Sequence, residues 1–171
     1  IDFTLGGSFT SYLPEYHNLI VLQTFSKAWG LAGLRLGMAF GSNEIIGILN
    51  KIKYPYNVSI QTQEIALKTL LSSEKKDAAV KEILEQRKKL KQDLVQLSIT
   101  EQVYPSDPNF LLVKVKDAVG TYRYLMDQKI IIRDRSKVTL CKNCVRITVG
   151  TPLENENLIV ALKTYEKSTI Y

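Results

Sequence analysis

The chain has 171 residues, of which 45% are hydrophobic and 23% charged, and its formal net charge is +6 at pH 7. That length and balance support a globular chain of one domain or two small ones and exclude a disordered or fibrous one. No apolar run is long enough to span a membrane, and the opening Ile1-Asp2-Phe3-Thr4 lacks the features of a signal peptide, so a soluble cytoplasmic protein with no membrane partner is expected.

Gly6-Gly7-Ser8 reads as a turn, and Tyr12 to Asn18 as a loop or short helix leading into the apolar run Leu19 to Leu22. This run has the character of a strand buried on both faces, and Leu34 to Phe40 is a second apolar stretch broken by small residues. Between them lies Thr24-Phe25-Ser26-Lys27-Ala28-Trp29-Gly30-Leu31-Ala32-Gly33-Leu34-Arg35. Ligands of open α/β sheets bind just beyond the carboxyl ends of strands, which is where Ser26 and Lys27 fall. Gly30 and Gly33 let the backbone bend close to a ligand, and the Arg35 guanidinium suits a bidentate grip on phosphate. A lysine amine depressed by burial and a nearby cation forms a Schiff base with an aldehyde, while Thr24, Ser26 and Arg35 hold a phosphate; pyridoxal phosphate carries both groups. A lysine that merely follows a strand is more often a surface residue, so the pattern and not the lysine carries this reading.

His17 is the lone histidine and has no Cys or His partner at metal-ligand spacing, so it reads as a surface residue and no metal site is expected. Ser42 or Asn43 caps a helix from Glu44 to about Ile52, which ends near Tyr54-Pro55-Tyr56-Asn57. A helix follows from Ser59 to Leu71, with Ile65, Ala66, Thr69 and Leu70 as its apolar stripe. The next runs from Ser72 or Ser73 to about Leu97, with Ala79, Ile83, Leu90, Leu94 and Leu97 on one face, and spans roughly 35 Å. Its basic run Arg87-Lys88-Lys89-Leu90-Lys91 raises nucleic-acid binding as an alternative function. Interleaved Glu82, Glu85 and Asp93 and the lack of a groove-reading motif favour a solvated face and no nucleic-acid partner.

The remainder has the order of a small α/β domain: a turn at Tyr104-Pro105-Ser106-Asp107-Pro108, a strand from Phe110 to Val115, a helix from Ala118 to Gln128 and a short strand at Ile130 to Ile132. A further strand, Val145 to Val149, precedes Thr151-Pro152-Leu153-Glu154, a capping box with Pro at the first helical position, so the last helix runs from Pro152 to about Lys167. Cys141-Lys142-Asn143-Cys144 has the spacing of a redox pair or half a zinc knuckle, but no second pair exists, and a reduced loop pair is the default. Arg133 at the end of one strand and Arg146 at the start of another fit two readings: surface ion-pairing residues, or two cations aimed at one pocket.

Ser26-Lys27 followed by Gly30, Gly33 and Arg35 after a buried strand resembles the active-site lysine segment of fold-type-I pyridoxal-phosphate enzymes, most closely that of the histidinol-phosphate aminotransferases. Pro105-Ser106-Asp107-Pro108-Asn109-Phe110, Ile131-Ile132-Arg133-Asp134-Arg135 and Val145-Arg146-Ile147-Thr148-Val149-Gly150-Thr151 resemble segments of the same family in the same order, so the likeness covers nearly the whole chain. Trp29 stands where Phe is commoner, an exchange expected to affect packing only.

The resemblance implies an α/β fold of fold type I, with residues 1–72 the carboxy-terminal part of the large cofactor-binding domain and residues 73–171 a long connecting helix and small domain. It implies transamination between histidinol phosphate and glutamate or 2-oxoglutarate in histidine biosynthesis. Lys27 is then the catalytic residue, with Thr24, Ser26 and Arg35 on the cofactor phosphate. Arg146 is implied at the substrate's anionic end, and Arg133 at the substrate phosphate or the co-substrate carboxylate. Family members are homodimers, and the Tyr54 to Asn57 loop falls near their interface; no catalytic role is assigned to it here.

In that family an Asp-Glu-Ala-Tyr segment directly precedes the equivalent of Ile1-Asp2-Phe3 and supplies the aspartate for the pyridine nitrogen. The chain is therefore expected to be the carboxy-terminal half of an enzyme, inactive alone. Other members of the fold group, an aromatic aminotransferase or a threonine-phosphate decarboxylase, remain as alternatives, because the lysine segment names the cofactor better than the substrate.

Overall fold

Two compact units make up the chain, Ile1–Val80 and Lys81–Tyr171; the computed structural model describes residues 1–4 and 6–169. The first unit opens with a 3-10 turn at Phe9–Tyr12, capped by Ser8. It then builds an antiparallel pair of strands, β1 (Ile20–Thr24) and β2 (Gly37–Gly41), in the register Ile20 to Gly41 through Thr24 to Gly37. Two helices follow, α1 (Asn43–Ile52) and α2 (Ile60–Leu70). Ser42, one of the two caps expected, precedes α1, and Ser59, the expected first residue of the second helix, is the cap of α2. The Ser42 hydroxyl accepts from the Ile45 N–H at 3.4 Å, and the Ser59 hydroxyl accepts from the Thr62 N–H at 3.1 Å, each satisfying a donor that the helix itself leaves free.

The expectation that the first strand is buried on both faces is not met. Leu22 is 76% exposed and Ile20 and Thr24 are exposed beside it, because among the described residues β1 pairs only with β2, in a two-stranded sheet. The second strand starts at Gly37, not Leu34. Ala32–Leu34 forms a 3-10 turn, and Arg35 follows with a left-handed φ of 51°, so extended backbone begins only after it. The α2 stripe is mostly exposed as well, with Ala66 its buried member.

The helix α3 (Ser73–Val95) contains the division between the units. Its buried positions Val80, Leu90 and Leu94, with Ile83 half-buried and Leu97 buried just past its end, keep the three-and-four spacing of one helix face. Ala79, expected on this face, is exposed, one position out of phase with Val80.

The second unit is a four-stranded antiparallel sheet in the order β3-β4-β6-β5, formed by β3 (Thr100–Val103), β4 (Phe110–Val115), β5 (Arg133–Asp134) and β6 (Cys144–Thr148). With α4 (Ala118–Asp127), α5 (Pro152–Thr169) and the second part of α3 it buries one core. Leu111, Val113 and Val115 of β4 and Val145 and Ile147 of β6 are buried, together with Leu90 and Leu94, Ala118 and Leu125, and Leu158, Ile159 and Leu162 of the helices. The alternating burial along β4 is the period-two signature of a sheet covered on one face.

Three local devices set the path. Thr151 and Glu154 form the expected capping box: the Thr151 N–H donates to Glu154 Oε2 at 2.7 Å and the Glu154 N–H to Thr151 Oγ1 at 3.3 Å. Thr151 thereby holds the Glu154 carboxyl below its usual range. Arg87 donates from Nη1 to the carbonyls of Asp107 and Pro108, tying α3 to the turn before β4, so one member of its basic run is structural. Lys129 takes a left-handed φ of 61° and the Ile130 N–H returns to Leu125 O at 2.8 Å, closing α4. That reversal leaves Ile130 to Ile132 outside the ladder, and the short strand expected there lies at Arg133–Asp134.

Replacing Leu125, fully buried in this core, by Ala is expected to cost about 2–5 kcal/mol by lost transfer energy and the cavity left behind. Urea unfolding would show it as a lower midpoint with an unchanged slope.

Candidate functional site

Two sets of candidate residues exist, one in each unit. In the first unit the segment after β1 is a tightly hydrogen-bonded loop. The Thr24 hydroxyl accepts from the Ser26 N–H at 3.1 Å, the Gly30 N–H returns to Lys27 O at 3.0 Å, and the Leu31 N–H to Phe25 O at 3.0 Å. Phe25 and Ala28 point into the small core of this unit, which leaves Thr24 and Lys27 exposed and Ser26 half-buried. Gly30 sits at φ 67°, a conformation that needs no Cβ. Trp29 packs edge-on against Phe25 at 6.1 Å between centroids and lies under the Lys76 ammonium at 5.3 Å.

The Arg35 backbone turns left-handed, and its Nη1 donates to Ala32 O at 2.9 Å, so the guanidinium is folded back over the 3-10 turn with other donors left over. Among the described residues neither Lys27 nor Arg35 meets a carboxylate at salt-bridge distance. The loop thus presents an amine, two hydroxyls and a guanidinium with no anion of its own. This donor set fits a ligand that carries both an aldehyde and a phosphate. Lys27 is exposed, and the burial invoked for its amine is not supplied by this unit.

In the second unit Arg133 and Arg146 are directly opposite each other in the β5–β6 ladder, and Arg146 is also opposite Leu112 of β4. Opposed residues of an antiparallel pair project on the same face. Val145 and Ile147 on either side of Arg146 are in the core, so the two arginines occupy the face the helices do not cover. Arg146 lies with its guanidinium carbon 5.2 Å from the centre of the Phe110 ring, its diagonal neighbour, in cation–π contact. Its Nε is buried without a hydrogen-bond partner among the described residues. The nearby carboxylate of Asp134 accepts from the Ser136 N–H at 2.8 Å, and no ion pair of either arginine is found among the described residues. Ordinary surface ion pairing therefore does not describe them. Two arginines opposed in the ladder, one with an unmet buried donor, suit an anion.

Phe110, expected only as the start of a strand, joins this candidate site. Its contact with Arg146 depends on the pairing register of β4 and β6, which hydropathy does not reveal. The cysteines are both free, Cys144 buried and Cys141 partly exposed, and among the described residues no group of three or more potential ligands could hold a metal.

Comparison with known proteins gives concordant matches. A family model for aminotransferases of class I and II covers residues 2–162. Over 165 residues the chain is 52% identical to the histidinol-phosphate aminotransferase of Cytophaga hutchinsonii, an alignment covering 96% of this chain and 47% of that relative. The crystal structure of the histidinol-phosphate aminotransferase from Clostridium acetobutylicum matches with a TM-score of 0.90 at 21% identity, over 98% of this chain and 51% of that one, which establishes a shared fold. That of the Sinorhizobium meliloti histidinol-phosphate aminotransferase, solved in complex with pyridoxal-5'-phosphate, matches with a TM-score of 0.82 at 27% identity, over 94% of this chain and 44% of that one. The chain spans about half the length of the curated relatives it matches.

The lysine loop makes a paired prediction. A Cβ at Gly30 or at Gly33 would meet nothing within 4 Å, but only Gly30 has a positive φ. Gly30→Ala is expected to destabilise by about 1–2 kcal/mol through backbone strain alone. Gly33→Ala should leave the unfolding midpoint unchanged or slightly raised.

Proposed function

The chain belongs to the aminotransferases of class I and II, and from that premise we propose that it forms the carboxy-terminal part of a pyridoxal-phosphate-dependent histidinol-phosphate aminotransferase. The reaction is amino-group exchange between histidinol phosphate and glutamate or 2-oxoglutarate. The observation that carries the reading is the lysine loop after β1, whose amine, hydroxyls and guanidinium have no anionic partner among the described residues. The 52% identity to a histidinol-phosphate aminotransferase supports that substrate over others of the fold group.

Residues 1–72 are assigned to the large cofactor-binding domain and residues 73–171 to the connecting helix and small domain. The division into compact units after Val80, inside α3, supports that assignment. No helix among the described residues is long and apolar enough to cross a membrane, and a cytoplasmic enzyme is the reading adopted. A homodimer is also proposed; the exposed Tyr54 and Tyr56 of the loop after α1 are in keeping with a surface covered on assembly.

Pyridoxal phosphate, when bound, supplies an aldehyde that joins an amine and a conjugated ring that accepts the electron pair left by a departing proton. Lys27 Nζ is the amine that would hold the aldehyde, and it would also serve to take a proton from the substrate carbon as a base and to return one as an acid. Thr24, Ser26 and Arg35 grip the phosphate, fixing the ring plane relative to the bond that breaks. Arg146 and Arg133 bind the phosphate of one substrate and the carboxylate of the other. Phe110 holds the Arg146 guanidinium against the sheet, so less ordering is needed when the anion arrives.

Borohydride reduction of the full-length protein loaded with pyridoxal phosphate, followed by peptide mass mapping, tests the cofactor assignment. The label is expected on Lys27 and absent in Lys27→Ala; equal labelling of surface lysines in both proteins, or turnover at a comparable rate in the variant, would overturn it. For the anion site, Arg146→Ala should raise KM for the phosphorylated substrate by about 10–100-fold, the loss of one or two charge-assisted hydrogen bonds. An unchanged KM would remove Arg146 from the site.

A further inference from the structure

The chain's two cysteines, Cys141 and Cys144, take no part in the chemistry above, yet the fold holds them in a definite geometry. The Cys144 N–H donates to Cys141 O at 2.9 Å, closing a four-residue turn, and Asn143, its third residue, has a left-handed φ of 56°. Such a turn keeps its first and fourth Cα atoms within about 7 Å, and a disulfide spans about 4.4–6.8 Å between the same atoms. The turn is anchored on both sides. The Cys141 N–H donates to Val138 O at 3.0 Å, and Cys144 O, at the start of β6, accepts from the Arg135 N–H at 2.8 Å. Burial pushes the Cys144 thiol up, with the neighbouring Cys141 adding to the rise, and Cys144 Sγ donates to Lys142 O at 3.7 Å. Cys144 is 1% exposed and Cys141 partly so, which gives the pair one reachable and one sheltered sulfur. Among the described residues no third or fourth ligand accompanies them for a metal.

We propose that Cys141 and Cys144 form a reversible dithiol–disulfide site that exchanges with small disulfides of the glutathione class. The reachable Cys141 thiolate attacks one sulfur of the disulfide, breaks its S–S bond and releases one thiol, leaving a mixed disulfide on Cys141. The Cys144 thiolate then attacks the Cys141 sulfur, forms the Cys141–Cys144 bond and releases the second thiol. Two electrons pass from the cysteines to the small disulfide, and the two cysteine protons end on the released thiols. The bond closes at the root of β6, two residues before Arg146 on the same strand. The closed turn already holds the two Cα atoms within about 7 Å of each other, near the span the bond needs. The site is independent of the proposed transamination.

The test is oxidation of the native protein with glutathione disulfide, followed by acid quench, alkylation and mass mapping, with dithiothreitol reversal. Loss of both alkylatable thiols, a 141–144 cross-link within one chain and full recovery on reduction are expected. A persistent glutathione adduct on Cys141, two thiols that still alkylate, or a link between two chains would overturn the proposal. Cys144→Ser should stop at the mixed disulfide on Cys141. Cys141→Ser, if its circular dichroism matches the wild type, should leave Cys144 unmodified; modification at the wild-type rate would overturn the assigned order. The wild-type measurement stands even where a serine at the buried position prevents folding.

Discussion

Val145 and Ile147 have to leave water, and because successive side chains of a strand project to opposite faces, Arg146 between them has to stay on the other side. Much of the second unit follows from that constraint. The face carrying Val145 and Ile147, continued by Leu111, Val113 and Val115 of β4, takes the helices. The face carrying Arg146 is left uncovered by them, and the antiparallel register sets Arg133 across from it on one side and Leu112 on the other. The apolar residues that stabilise the fold thus also place the two cations on the opposite face of the sheet.

The first unit is held differently. Its buried apolar residues are few, among them Phe3, Phe25, Ala28, Ala66 and Val80. The lysine loop keeps its shape chiefly through its own backbone: short returns from Gly30 to Lys27 and from Leu31 to Phe25, a left-handed glycine, and Thr24 bonding the backbone two residues on. Lys76 adds to the frame by bridging Asp2 and Asp77 while lying over the Trp29 ring. Exposure of large apolar residues such as Leu22, Leu67 and Leu71 characterises this unit. It accords with a chain that spans about half the length of its relatives.

Local chemistry was legible wherever a short segment carries its own signal. Ser42, Ser59 and the Thr151–Glu154 pair mark helix starts because they satisfy amide groups within four residues of themselves. Phe110 to Val115 and Val145 to Val149 read as strands because β-branched and apolar residues dominate them, broken only by Lys114 and Arg146. The strand β3 escaped notice because Thr100-Glu101-Gln102-Val103 is polar and half-exposed at the sheet edge, with an irregularity in its register. The position of β5 was displaced because the apolar Ile130 to Ile132 looks more like a strand than Arg133-Asp134, and only pairing to β6 decides between them.

By itself the sequence determined the family resemblance, the helix boundaries, the lysine motif and the presence of two arginines near strand ends, since each is a matter of residue type and short spacing. Tertiary structure alone decided that those arginines face each other, that Phe110 lies against one of them, that Leu22 is exposed and that the cysteine pair shares one closed turn. Hydropathy along a chain records what each residue prefers to be near. Register and burial depend on which distant segment arrives opposite it, and that is settled only when the strands pair and the core closes.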